Sequence, residues 1–226
     1  LLARPGAKVA VNYYSSEAAA REVVKEIEAE GGKALAVKAD VTDNEQVIAM
    51  VQQVTAAFGA IDTLVLNAGS SFPITPFINF KWEDFEHKVV WDLKATFYPC
   101  QAVVPSMIDR KRGCIIVVST ELSRQAAPGF CAHSTAKSGL DALVKSLALE
   151  LGPQGIRVNA VAPGLTVTDA TAFIPQEEKN ALAQMVPLRR NGFPEDVAGA
   201  ILLLASEEAR FITGTYLPVS GGSQMI

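Results

Sequence analysis

The sequence predicts a single α/β domain, a doubly wound parallel sheet covered by helices on both faces. Three observations carry that expectation. Short apolar segments alternate with longer amphipathic ones across residues 1–226, recurring roughly every 20–40 residues, the rhythm of parallel strands joined by crossover helices. The apolar segments are nearly continuous, as in Cys114-Ile115-Ile116-Val117-Val118, and strands read that way when both of their faces are buried. Turn-forming or polar residues follow them: Asp40, Asn67-Ala68-Gly69, Ser119-Thr120 and Pro163-Gly164. Ligands of open α/β sheets bind beyond those carboxyl ends, so four such sites converging on one edge mark a candidate binding region.

Taken in order, Leu1 to Ala3 read as the last turn of a helix that Gly6 ends. Lys8 to Tyr13 form a short strand. Ser15 and Ser16 offer N-caps to a helix through Glu30, with Ala20, Val23, Val24 and Ile27 on one face and Gly31-Gly32 as its stop. Lys33 to Ala39 make a second strand, and Thr42-Asp43-Asn44-Glu45 has the capping-box spacing that opens a helix to about Phe58. Ile61 to Leu66 are a third strand. A loop rich in Pro and Phe, Phe72 to Phe80, then leads into a long helical stretch from about Trp82 to Arg112, which Pro99 and Pro105 should bend or interrupt. Cys114 to Ser119 are a fourth strand, Ala132 to Leu151 a periodic helix ended by Gly152-Pro153, and Ile156 to Val161 a fifth strand. Two helices near Gln176–Met185 and Pro194–Ala205 and a last strand, Thr215 to Val219, complete the pattern. No internal repeat or linker divides the chain.

Composition narrows the function classes. Twenty Lys plus Arg against twenty-four Asp plus Glu give a net charge of −4, which argues against a sequence-independent nucleic-acid binder. No apolar run approaches the roughly 18–20 residues of a membrane span. Three cysteines, Cys100, Cys114 and Cys131, are too few and odd in number for a disulfide framework and read as buried residues in a reducing, cytoplasmic compartment. The spacing gives no metal site.

The strand-end residues, together with His133-Ser134-Thr135-Ala136-Lys137, Arg157-Val158-Asn159 and Ser220-Gly221-Gly222, resemble the short-chain dehydrogenase/reductase family over the whole chain. The likeness is greatest to 3-oxoacyl-acyl-carrier-protein reductases and to sugar and steroid dehydrogenases. It implies a Rossmann-type three-layer fold, a nicotinamide cofactor and a homodimer or homotetramer. It also implies that a first strand and a Gly-rich turn precede Leu1. Their absence from residues 1–226 leaves the single domain N-terminally incomplete and its sheet without a middle strand. By the same resemblance the cofactor meets Asn12, Ser15, Asp40, Val41, Asn67, Ala68, Gly69, Lys137, Pro163, Gly164, Thr166 and Thr168. The second family strand ends here at Asn12-Tyr13-Tyr14-Ser15-Ser16, with no carboxylate to repel a 2′-phosphate, which favours NADP over NAD.

The resemblance also implies a catalytic set of Tyr, Lys, Ser and Asn, and this sequence departs from it at three positions. Lys137 is retained, Thr120 stands at the Ser position, Asp92 at the Asn position and His133 at the Tyr position. An imidazole can serve as acid or base near neutrality. Its reach is shorter than a phenol's by roughly 2 Å, and a misplacement of about 1 Å can cost about 100-fold. The Lys137 ammonium should lower the His133 pKa, and Asp92 should oppose that effect. The expected activity is NADP-linked hydride transfer between nicotinamide and a small carbonyl, hydroxyl or 3-oxoacyl substrate. The alternatives are a non-redox or catalytically impaired nucleotide binder and a scaffold subunit of a hetero-oligomer. The apolar residues of the Phe72–Phe80 loop, with Phe173, Ile174 and Met185, suit an acyl substrate, and Arg110-Lys111-Arg112 with Arg189-Arg190 could attract an acidic carrier.

Overall fold

A computed structural model describes residues 1–4 and 6–225. Residues 5 and 226, included in the single-domain reading, lie outside the described residues. The first strand and helix are β1 (Lys8–Tyr13) and α1 (Glu17–Ala29), followed by β2 (Lys33–Lys38), α2 (Asn44–Phe58) and β3 (Thr63–Leu66). The long helix α3 (Trp82–Arg110), β4 (Gly113–Val118), α4 (Cys131–Leu151) and β5 (Ile156–Pro163) build the centre. Helices α5 (Gln176–Met185) and α6 (Pro194–Ala205) and the strand β6 (Tyr216–Val219) close the chain.

All strand pairs are parallel, in two sections: β1 with β2, and β3-β4-β5-β6. No ladder joins β1 to β3 among the described residues. The division shows in burial, since β1 alternates exposed and half-buried residues while five of the six residues of β4 are buried. Consecutive β4 residues serve opposite layers. Ile115 and Val117 face the cluster built with α3 and α4, including Met107, Leu140 and Val144, whereas Cys114 and Ile116 face α6 through Leu204. This two-sided burial is why the segment carries no polar alternation.

Several element boundaries differ from expectation. Residues 2–4 form a turn rather than a helix end, with Gly6 at φ +97°. Ser16 stands at the start of α1 but makes no side-chain cap, and only Ala20 of the expected apolar face is buried. The cap of α2 is Asp43, one residue later than the box predicts; its carboxylate accepts from the N–H groups of Glu45 and Gln46. Helix α3 runs unbroken through Pro99 and Pro105 for 29 residues. Pro99 is itself buried, and tertiary packing against α4 offsets an interior-proline cost of about 3 kcal/mol. Gly152 continues α4 as a short 3-10 turn, and Gly155 makes the stop instead. Gly155 has φ +75°, and a Cβ there would lie 2.3 Å from the carbonyl oxygen of Lys111.

The two-sided core makes a direct prediction. Ile115→Ala and Ile116→Ala should each lower unfolding free energy by about 2–5 kcal/mol in urea titrations, because each opens a cavity in a different layer. A loss below about 1 kcal/mol at either position would mean that its layer is not tightly packed.

Candidate active site

Two stripes of polar side chains face each other where α3 packs along α4. On α3, Lys88, Asp92 and Thr96 recur every fourth residue and are all buried. On α4, His133, Lys137 and Asp141 have the same spacing, with Lys137 and Asp141 buried and His133 half-buried. Four-residue steps put each set on one helical face.

Asp92 is the hub. Its Oδ1 lies 2.9 Å from Lys88 Nζ and accepts from the N–H of Ser70 at 3.3 Å and its hydroxyl at 3.4 Å. Its Oδ2 faces Lys137 Nζ at 3.6 Å, an ion pair longer than a hydrogen bond, and is buried without a hydrogen-bond partner. Lys137 donates instead to the carbonyl of Val118 at 3.0 Å, which ties α4 to the end of β4. Lys88 donates to the carbonyl of Ser70 at 2.8 Å and sits 5.0 Å from the centre of the Phe72 ring. That ring stacks on His133 with centroids 4.8 Å apart and planes 6° from parallel, while Phe130 approaches the imidazole edge-on. His133 Nδ1 is buried without a partner.

Charge and burial act together on these groups. Burial lowers the pKa of both lysines and outweighs the opposing pull of Asp92. For His133, burial first and Lys88 second push the imidazole down to about 4, with Lys137 adding to the effect and Asp92 opposing it. The direction expected from Lys137 is present, but the larger charge effect comes from Lys88. Sequence reasoning missed Lys88 because the family motifs do not include it. Its spacing of four residues before Asp92 on a helix was the available signal.

A second network steadies Thr120. Ser119 and Ser123 donate to the two oxygens of Asp141 at 2.6 Å each. The Tyr216 hydroxyl lies 2.9 Å from the Thr120 carbonyl oxygen and 2.7 Å from Gln224 Oε1, and Arg124 lies 3.6 Å over the Tyr216 ring. The Thr120 hydroxyl accepts from the N–H of Leu122 at 3.3 Å, so it begins the short 3-10 turn after β4 with its side chain fixed.

The remaining candidate residues fall at strand ends with separate local roles. Asn67, Ala68 and Gly69 follow β3 and are exposed; a Cβ on Gly69 would meet nothing closer than Lys88 Nζ at 4.0 Å. Gly164 follows β5, where a Cβ would press on Glu121 and Ser220 at 3.1 Å. Thr166 donates to the Gly164 carbonyl at 3.1 Å, and the exposed Thr168 donates its N–H to Thr171. Asn12 is spent on the β1–β2 section, donating to the carbonyls of Val37 and Ala39. Asp40 accepts from the N–H and hydroxyl of Thr42, beside the half-buried Val41, and Ser15 is exposed. Among the basic residues considered for a carrier, Arg110 pairs with Asp62 and Arg190 with Asp196, each at 2.6 Å.

Around Gly69 a Cβ would have only Lys88 Nζ within 4.0 Å, and Lys137 spends one N–H on the Val118 carbonyl, so two of its donors are not used by the backbone. Among the described residues, no helix is long and apolar enough to cross a membrane.

Comparison with known proteins gives a consistent picture. The family described as enoyl-(acyl carrier protein) reductase matches residues 1–224. The 3-oxoacyl-acyl-carrier-protein reductase FabG of Staphylococcus aureus is 38% identical over 224 residues, covering 99% of this chain and 91% of that protein. A blue fluorescent protein from a metagenomic library, solved in complex with NADPH, superposes with a TM-score of 0.89 at 33% identity, covering 99% of this chain and 90% of its own. A gluconate 5-dehydrogenase from Burkholderia cenocepacia, solved with NADP and tartrate, gives 0.90 at 30% identity, covering 98% and 87%.

The depressed His133 pKa has a consequence for stability. The folded state binds fewer protons than the unfolded state between about pH 4 and 6.5, so stability rises with pH across that window. The contribution is complete above about pH 6.5 and is lost as the pH falls towards about 4, a change on the order of 3 kcal/mol. Urea unfolding at both ends of the window should show this loss in the parent chain and a correspondingly smaller one in His133→Phe. Equal pH dependence in the two proteins would place the acid lability elsewhere.

Proposed function

Because the chain belongs to the short-chain dehydrogenase/reductase family, we propose that it is an NADP-linked oxidoreductase acting on a small carbonyl, hydroxyl or 3-oxoacyl substrate. We place it in the cytoplasm as one catalytic domain per subunit of a homodimer or homotetramer. The observation that carries the reading is the convergence of Lys137 and Asp92 at the end of β4, with His133 and Thr120 on the flanking elements. NADP-bound relatives of similar architecture support the choice of cofactor.

When bound, the nicotinamide supplies or accepts the hydride. Lys137 would hold the ribose, and Thr166 and Thr168 lie on the loop after β5 that would cover the carboxamide and phosphates. Thr120 keeps a hydroxyl that can hydrogen-bond the substrate oxygen, and its backbone is anchored by Tyr216. His133 would exchange the proton with that oxygen at Nε2, the ring nitrogen one bond further from the backbone. Asp92 keeps the Lys137 ammonium next to this region.

The protonation state of His133 shapes the pH dependence. Reduction of a carbonyl needs the imidazolium, and with a pKa of about 4 its population falls tenfold for each pH unit above that value. The kcat/KM for NADPH-dependent reduction of acetoacetyl-coenzyme A should therefore decline about tenfold per unit between about pH 5 and 8. His133→Tyr should raise that value at about pH 7 by at least about tenfold, since it restores a proton donor of longer reach. NADP binding by calorimetry without turnover in either protein would favour the non-redox nucleotide binder.

A further inference from the structure

Lys88 is buried to 2% exposure, second only to Asp92 among the charged side chains of the site, and no step of the proposed reaction uses it. Two of its three donors go to the Ser70 carbonyl at 2.8 Å and Asp92 Oδ1 at 2.9 Å, and its Nζ lies 5.0 Å from the centre of the Phe72 ring. Its contacts are therefore with the groups that frame His133. It also doubles the positive charge around a single carboxylate, because Lys137 pairs with the same Asp92. Burying a second ammonium carries a desolvation cost that an apolar residue of the same length would avoid.

We propose that Lys88 is a positioning residue that acts through His133: it fixes Asp92 on one side and the Phe72 stacking surface on the other, so that the imidazole enters the reaction as a proton acceptor for an alcohol substrate. This rests on the oxidoreductase reading. In the step it serves, the alcohol O–H bond breaks and its proton passes to His133 Nε2. The carbinol C–H bond breaks with its electron pair leaving as hydride to the oxidised nicotinamide, and the carbon–oxygen bond becomes a carbonyl. The imidazolium then returns its proton to solvent.

The groups around the imidazole support this division of labour. Helix α3 presents Lys88 and Asp92, and α4 presents Lys137. The Phe72 loop and Phe130 contribute only aromatic rings. The other charged groups nearby are engaged elsewhere: Asp141 with Ser119 and Ser123, Glu121 with Ser223, and Arg124 over Tyr216. Two cations against one anion leave a net positive surrounding that opposes protonation of the ring. Phe72 carries the geometric part, since the same ring meets Lys88 on one side and lies flat on His133.

The test compares the full chain with Lys88→Met, which keeps the length of the stem and removes the charge. Histidine ring carbons, labelled with carbon-13, are titrated by NMR without ligand; the exposed His87 is the internal reference because the chain has only two histidines. His133 should titrate near 4 in the parent chain and move up by about one unit or more in the variant. The acidic limb of kcat/KM for NADP-dependent oxidation of 3-hydroxybutyryl-coenzyme A should move up by the same amount. An unchanged His133 midpoint in Lys88→Met overturns the proposal. A shifted midpoint without turnover in either protein upholds the hold of Lys88 on His133 while removing the oxidoreductase reading. Where Lys88→Met does not fold, the double variant Lys88→Met with Asp92→Asn removes both charges. A midpoint no higher than the parent's there, or a parent midpoint in the ordinary histidine range, also overturns it.

Discussion

One buried carboxylate organises the candidate site. Asp92 draws Lys88 and Lys137 from two helices onto its two oxygens and binds the start of the loop after β3 through Ser70. Such a cluster is tolerable only where the remaining polar atoms find partners, and most do: Ser70 and Val118 lend their carbonyls to the two ammonium groups. Among the described residues, four buried side-chain atoms lack a hydrogen-bond partner: Asp92 Oδ2, His133 Nδ1 and the neighbouring Ser134 Oγ lie in or beside this cluster, and Asn191 Oδ1 lies elsewhere. Buried groups without a hydrogen bond are costly, so the clustering of three of them at the candidate site fits a place shaped for chemistry rather than for stability.

The packed centre supplies the rigidity this cluster needs. Strand β4 is buried in both layers, and its carboxyl end delivers Val118, Ser119 and Thr120 to three different partners: Lys137, Asp141 and Tyr216. The two polar networks thus share a strand end but not a residue. One sets the charge around His133, and the other holds the backbone of Thr120. The β1–β2 section stands apart in this respect, with Asn12 and Asp40 occupied by local turns and strand contacts.

Much of the fold was legible from pattern alone. The strand positions, the bounds of α5 and α6 and the parallel order follow from apolar runs, turn residues and helical periodicity. The errors have specific causes. A capping box reads the same one residue either way, and Asp43 won over Thr42 because its carboxylate reaches two N–H groups. Prolines that should interrupt a lone helix are carried by burial in α3, which no local signal reports. Lys88 was invisible for a related reason: a lysine is normally a solvated residue, and only the approach of α4 and the Phe72 loop encloses it.

The sequence by itself determined the layer architecture, the polar and turn residues at the strand ends and the departures from the family motif at Asp92, Thr120 and His133, because periodicity and motif spacing are local properties. Only the tertiary structure decided the electrostatics of those positions. The protonation of His133 depends on burial and on charges supplied by another helix, and both exist only once α3 and α4 have packed.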